Sequence, residues 1–411
     1  MQWSDTPEQA RFRDEVRTFI NERFPGNYRP DENREQSLEP EDVHGYDWPA
    51  DRKSEDPERR KAAMQWARAL AEKGWTAPHW PKEYGGAGLG IVEHFIFTEE
   101  MAKAGVPPVG GVGVNLLGPT LIQHGTEEQR REHLPKIVSG EVVWAQGFSE
   151  PEAGSDLAAL KTSAVRDGDT YVLNGQKIWT SFGHHADWLF ALVRTDPEAP
   201  KHRGISFLMM DIETPGISVQ PIVDMRGGAP FSEIFFDDVR VPVSQRVGEE
   251  NRGWYVAMAT LDFERSGIGG TIKYRNELQR LIDFMRSDES KRYIRGDARD
   301  VLRQEIAQRY IEIEVLYQLG VRTVSMQAAG EIPNYEASVS LLFGSIVHQN
   351  LAATGLKAFG PWGNIWQREG APLNALFSHD YLDAAPHTVL SGTSEIQRNV
   401  IATRGLGLPR E

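Results

Sequence analysis

Gln146-Gly147-Phe148-Ser149-Glu150-Pro151-Glu152-Ala153-Gly154-Ser155-Asp156 is the stretch from which the rest of this chain can be read. A strand-like run enters a turn of Gly, Pro and small hydroxyl residues. Such a turn leaves backbone N–H groups exposed, with little side-chain bulk to hold a ligand away. Donors in that arrangement suit the pyrimidine edge of an isoalloxazine ring and, a few residues on, a diphosphate, where Gly154 and Ser155 stand. Read alone, a Gly-Pro-Ser cluster is equally a plain surface loop. The stretch then passes through a hairpin to Lys177-Ile178-Trp179-Thr180-Ser181, which supplies an indole to lie on a ring and a hydroxyl for its central nitrogen.

The surroundings of this stretch are β in character. After Gly140 the apolar period changes from about 3.6 to 2, and residues 142–148, 161–165, 170–173, 188–194, 205–211, 217–221 and 233–241 are short runs rich in β-branched and aromatic residues. Asp167-Gly168-Asp169 sits at a hairpin position, and Asn174-Gly175 offers a second tight turn. The set predicts a small barrel or sandwich.

Helical periodicity lies on both sides. Asp5-Thr6-Pro7 reads as a helix start, followed by Phe12, Val16, Phe19 and Ile20 at helical spacing and a stop near Pro25. Residues 28–60, dense in Asp, Glu, Arg and Pro, read as an exposed insertion, either a solvated loop or a cover over a substrate entrance. Helices are predicted again over 58–73, 92–104 and 112–124, and Thr126-Glu127-Glu128-Gln129 fits a capping box. Beyond Gly253, residues 253–285, 298–328 and 334–358 make a bundle, with shorter helices near 371–384 and 394–403. The expectation is an α+β chain in three parts: an all-helical 1–140, a β-barrel 141–250 and a helical bundle 251–411.

Composition excludes several classes. A formal charge of −14 and a pI near 5.4 argue against nucleic acid or an anionic membrane surface, both of which reward a basic face. There is no cysteine, so disulfides and thiolate chemistry are absent, and no motif marks a metal site. No apolar run approaches the roughly 18 residues that span a bilayer, and no signal-peptide pattern opens the chain. A soluble, cytoplasmic protein is expected.

Glu150-Pro151-x-Ala153-Gly154-Ser155-Asp156, then Asn174-Gly175-Gln176-Lys177-x-Trp179, then Ser391-Gly392-Thr393-Ser394-Glu395-Ile396-Gln397-Arg398 near the C-terminus, closely resemble three motifs of the acyl-CoA dehydrogenase family, in the family's order. The resemblance covers more than half the chain. It implies a helical domain, a central β-barrel and a C-terminal four-helix bundle, and an FAD-dependent α,β-dehydrogenation of an acyl-CoA thioester with electrons passed to an electron-transfer flavoprotein. It also implies that Gln146, Phe148 and Ser149 border the flavin, that Trp179 stacks on it and that Ser181 donates towards its N5. Thr393 and Glu395 then approach from the bundle, while Gly154 and Ser155 lie near the diphosphate or pantetheine.

The base is where the chain departs from the commonest pattern. Many family members carry a glutamate just before the closing Gly-Thr, but Ser391 stands there and cannot accept a proton at neutral pH. In the isovaleryl and long-chain branches the base comes instead from a segment similar to Leu261-Asp262-Phe263-Glu264-Arg265. The resemblance therefore makes Glu264 the catalytic base, with Ser155, Arg265 and the main-chain N–H of Ser391 on the substrate side. The plain reading of Glu264 is an ordinary helix carboxylate, although Arg265 does not share its helix face. Small residues Ser266 and Gly267 follow, which leaves room for a branched or bulky acyl group or serves only packing.

Two further departures concern the adenine end of FAD. The Arg-x-x-Phe-Gly segment of many homotetrameric members has no counterpart in 285–296, and Phe359-Gly360-Pro361-Trp362-Gly363-Asn364 differs from the usual Gly-rich turn. The combination resembles a bacterial subgroup of mixed tetramers known from sterol side-chain degradation, so a homotetramer, heterotetramer or dimer is expected. Alternatives on the same fold are a flavin oxidase or monooxygenase and a flavin-carrying DNA-binding relative, the latter disfavoured by the charge.

Overall fold

The computed structural model describes residues 5–28, 48–263, 269–294, 296–366 and 370–409. Helix α1 (Pro7–Arg23) begins where the sequence predicts, with Thr6 and Gln9 closing a reciprocal capping box. Its apolar stripe, Val16, Phe19 and Ile20, is buried, and Phe19 meets the rings of Trp66 and Trp75 at 5.7 and 4.7 Å. Short α2 (Trp48–Asp51) and α3 (Pro57–Glu72) follow.

Of the segment expected to be an exposed insertion, 29–47 lie outside the described residues, and its two ends belong to the core. Tyr28, Trp48 and Asp51 are buried, Tyr28 Oη donates to Asp51 at 2.9 Å, and Trp48 Nε1 donates to the carbonyl of Ala63 at 3.1 Å. The charged composition hid two aromatic anchors that outweigh it, since each buries a large apolar surface.

Helix α4 (Ile91–Ala104) is clamped to α1 by Arg13, whose guanidinium reaches Asp5, Glu99 and Glu100 within 2.7 Å. The run predicted as one helix over 112–124 is a π-turn, Gly113–Leu117, leading into α5 (Gly118–His124). Gly118 permits this path: a Cβ there would fall 1.7 Å from the Trp80 ring. The capping box at Thr126 and Gln129 starts α6 (Glu127–Val138).

The β part has strands β1 (Trp144–Gly147), β2 (Ser163–Asp167), β3 (Thr170–Ser181), β4 (Trp188–Arg194), β5 (Ile205–Asp211), β6 (Ile217–Ile222), β7 (Phe231–Pro242) and β8 (Arg246–Val247). They form one eight-stranded sheet in the order β6-β7-β3-β2-β4-β5-β8, with β1 parallel to β4. Alternate residues divide between two cores. Leu189, Ala191 and Val193 of β4 gather with Leu173, Leu208, Ile234 and Val239 inside the sheet. Phe190 and Leu192 face the other way, against Leu117 and Leu134 of the helical part. Helices thus cover the outer face of β4 and β5, which is why β4 reads as a continuous apolar run.

Asp167↔Thr170 closes the expected hairpin. Asn174-Gly175, expected as a turn, lies inside β3 and marks a bulge against β7. Asn174 exchanges side-chain hydrogen bonds with Asp238 at 2.9 and 3.0 Å, which occupies the polar group that a turn would have used.

The C-terminal part comprises α7 (Gly253–Phe263), α8 (Gly269–Arg286), α9 (Gly296–Ala328), α10 (Glu336–Phe359), α11 (Leu376–Asp383) and α12 (Ser394–Val400). α8, α9 and α10 share a core with α11. α7 instead packs on the sheet through Val256 and Ala257. Its Thr260 hydroxyl meets that of Thr120 on α5 at 2.7 Å, both side chains being buried. Among the described residues no helix is long and apolar enough to cross a membrane.

Candidate functional site

The turn after β1 and the end of β3 are bonded to each other at several points. Ile178 N–H donates to the carbonyl of Ser149 at 3.0 Å. Lys177 Nζ donates to the carbonyl of Phe148 at 3.1 Å and to Glu150 Oε1 at 2.7 Å. The Glu150 carboxylate also accepts from the backbone N–H groups of Lys161 and Thr162, at 2.6 and 2.9 Å. Burial alone would raise this carboxyl, but Lys177 and the two N–H donors hold it below the usual carboxylate range. Burial pushes Lys177 down to about 8 against the opposing pull of Glu150.

Two residues beyond Lys177 the strand leaves its regular course. Trp179 has φ +61°, in the left-handed region, at a register shift between Lys177 and Thr180. The bulge lets Thr180 turn inward, 1% exposed, while the Trp179 indole stands 55% exposed on the surface with only the edge of Phe231 beside it, centroids 5.9 Å apart. A strained, half-exposed tryptophan is costly on a bare surface and well suited to one that a flat apolar ligand covers. Ser181 is exposed beside it.

The turn offers matching access. Ser149 and Gln146 are half-buried, Gly154 and Ser155 are exposed, and a Cβ at Gly154 would meet nothing within 4 Å. A tight reciprocal pair, Glu150 with Ala153 at 3.0 Å in both directions, fixes the turn's shape. Phe148 behaves differently from the expectation that it borders the ring: its side chain is 6% exposed and packs edge-on against Phe190 and Phe207. Only its main chain faces the turn.

The residues expected from the bundle form a second group. Ser391 and Gly392 both have positive φ, +55° and +100°, and Gln397 Nε2 donates to their carbonyls at 3.2 and 3.3 Å. Thr393 Oγ1 caps α12 by accepting from Ile396 N–H at 3.3 Å, and Glu395 is exposed and pairs with Arg398. α12 packs on α10, and among the described residues it shares no extensive contact with β1 or β3. Glu264 and Arg265 lie outside the described residues.

The buried Lys177–Glu150 pair and the Phe231 support were not singled out from the sequence. The available signal for the first was a lysine at an inward-facing position of an alternating strand, where only a partner makes burial tolerable.

The chain matches family models described as acyl-CoA dehydrogenase, N-terminal domain, over residues 48–141, middle domain, over 145–239, and C-terminal domain, over 251–406. The acyl-CoA dehydrogenase IpdE1 of Mycobacterium tuberculosis is 39% identical over 367 residues, spanning 86% of this chain and 89% of its own. The solved structure of the Tcur3481-Tcur3483 steroid ACAD superposes with a TM-score of 0.84 at 32% identity, covering 100% of both chains. The ChsE4-ChsE5 complex from Mycobacterium tuberculosis gives a TM-score of 0.81 at 31% identity, again over 100% of both chains.

Proposed function

Since the chain belongs to the acyl-CoA dehydrogenase family of flavoprotein oxidoreductases, we propose that it uses FAD to desaturate a bulky, ring-derived acyl-CoA at the α,β position and passes the electrons to an electron-transfer flavoprotein. The observation that carries the reading is the exposed Trp179 indole, held in a left-handed bulge beside a turn with room at Gly154. These residues fit a flavin: the indole supplies a flat apolar surface, Ser181 a hydroxyl, and the turn from Ser149 to Ser155 small side chains with backbone donors.

FAD, when bound, supplies the acceptor for the hydride that leaves the β-carbon. Glu264 takes the α-proton, so the C–H electron pair becomes the new carbon–carbon double bond. The N–H of Ser391 donates to the thioester oxygen as negative charge develops there, a role that needs no particular side chain. The resemblance to the family assigns Arg265 and Ser155 to the substrate.

Two observations support a ring-derived acyl group and a shared assembly. The solved structures titled as a steroid ACAD and as a complex of two named chains match this chain along its whole length. The chain also lacks the segment with which many homotetrameric members grip a neighbour's adenine. A mixed oligomer with a second, related chain supplies that grip.

The test is anaerobic flavin bleaching with a panel of linear, branched and steroid-derived acyl-CoA thioesters, on the chain alone and co-expressed with related chains. Fastest bleaching is expected with ring-bearing thioesters. Preference for a linear acyl chain overturns the substrate class, and full flavin occupancy without a partner overturns the mixed oligomer.

A further inference from the structure

Three side chains from α10, the end of α11 and the turn that follows it converge. His348 of α10, Asp383 at the end of α11 and His387 in the following turn each present a ligand atom, all within 4.8 Å of one another. We propose that they bind a divalent transition-metal ion, zinc(II) foremost, which fastens α10 to the end of α11.

The donor set is right for that ion: two imidazoles and a carboxylate, with water as fourth ligand. His348 supplies the strongest argument. It is 1% exposed and, among the described residues, neither ring nitrogen has a hydrogen-bond partner, although its faces are occupied, by Tyr274 at 4.9 Å and by the edge of His387 at 4.8 Å. A buried imidazole without a partner is a standing cost, and coordination uses one of its lone pairs. Tetrahedral zinc with bonds near 2.0 Å needs ligand atoms about 3.3 Å apart, so the ligand atoms, within 4.8 Å of one another, draw together by at most about 1.5 Å.

Asp383 is divided between two tasks. Arg226, from the loop between β6 and β7, holds Oδ1, and outer-shell donors orient metal-binding carboxylates in this way. Oδ2 lies 3.6 Å from His387 Nε2 and 3.9 Å from Lys273 Nζ. Lys273 is the competitor for that oxygen, and it has somewhere else to go. Its ammonium is already 3.6 Å from Glu277 and 3.8 Å from Asp380, both buried.

The inference does not depend on the flavin reading and is tested without activity. The full chain, in the assembly in which it purifies, is stripped with chelator and titrated with zinc chloride by calorimetry, with metal content measured after dialysis. About one tightly held zinc per chain is expected, with affinity reduced at least about tenfold in both His348→Asn and His387→Asn. Zinc should also raise the thermal midpoint of the native chain and of neither variant. The His387 side chain is 38% exposed, so its variant folds and decides the matter even if the His348 variant does not. Absence of bound zinc, or an affinity that His387→Asn leaves unchanged, overturns the proposal.

Discussion

Lys177 Nζ lies 2.7 Å from Glu150 Oε1, with the lysine fully and the glutamate almost fully shielded from solvent. This pair ties the turn after β1 to β3 two residues ahead of Trp179, so it sets the distance between that turn and the Trp179 bulge. Lys177→Met leaves a buried carboxylate with its two backbone donors but no cation. It should cost about 3–5 kcal/mol in urea unfolding, whereas Lys177→Met with Glu150→Gln should recover a good part of that loss. If the double variant is no more stable than the single, the pair does not act as a unit.

Trp179 separates ligand binding from stability. A non-glycine residue in the left-handed region carries about 1–2 kcal/mol of strain, and this indole is more than half exposed. Trp179→Gly should therefore leave the flavin-free chain as stable as before, or stabler by about 1 kcal/mol. In the assembly in which the chain purifies, the variant should also lose FAD on gel filtration that the native assembly retains. Loss of stability without loss of flavin contradicts the stacking role.

His94 of α4 stacks on His79 at 4.8 Å. Burial, and secondarily the neighbouring imidazole, push it down from 6.5 to about 4. The native chain therefore resists protonating a group that the unfolded chain protonates readily. Its contribution to stability is complete above pH 6.5 and is lost as pH falls towards 4. His94→Gln cannot lose it. Moving from neutral pH to about pH 4.5, the variant should gain roughly 2–3 kcal/mol relative to the native chain. Parallel pH profiles for the two proteins rule this out.

What was legible in the sequence were features that repeat locally. The helix start at Thr6, the capping box at Thr126 and the hairpin at Gly168 depend on residues within four positions of each other, and all appear at their predicted places. The strand periods were legible because alternate residues face one core. What escaped depends on partners far along the chain. Asn174-Gly175 reads as a turn until Asp238 claims its side chain. Trp48 reads as part of a charged loop until Ala63 accepts its N–H. Asp383 and His387 stand four residues apart, but nothing in the sequence ties His348 to them, since α10 and α11 bring the three together only after packing. In the candidate site, motif order pointed to the stretch that ends in the exposed Trp179, but not to the burial of the Phe148 ring, because a strand's exit turn does not declare which face its next residue takes.

Glu264 is proposed as the base because Leu261-Asp262-Phe263-Glu264-Arg265 resembles the segment that supplies it in the isovaleryl and long-chain branches of the family. Ser391 holds the position that a glutamate occupies in many relatives, and a serine hydroxyl cannot accept a proton at neutral pH. Its backbone, at φ +55°, keeps the closing loop in a shape that presents main-chain groups instead. Glu264→Gln keeps the size and hydrogen bonding of the side chain and removes its basicity. The variant should bind FAD and acyl-CoA as the native chain does, while substrate-dependent flavin bleaching slows by about 10²–10⁴-fold. Adding Ser391→Glu to that variant supplies a carboxylate from the other element, at the expense of strain in a left-handed position, and should restore part of the rate. Bleaching at the native rate in Glu264→Gln assigns the proton to another group. Recovery on adding Ser391→Glu shows that both elements face the same α-carbon, so that one fold carries the base from either side.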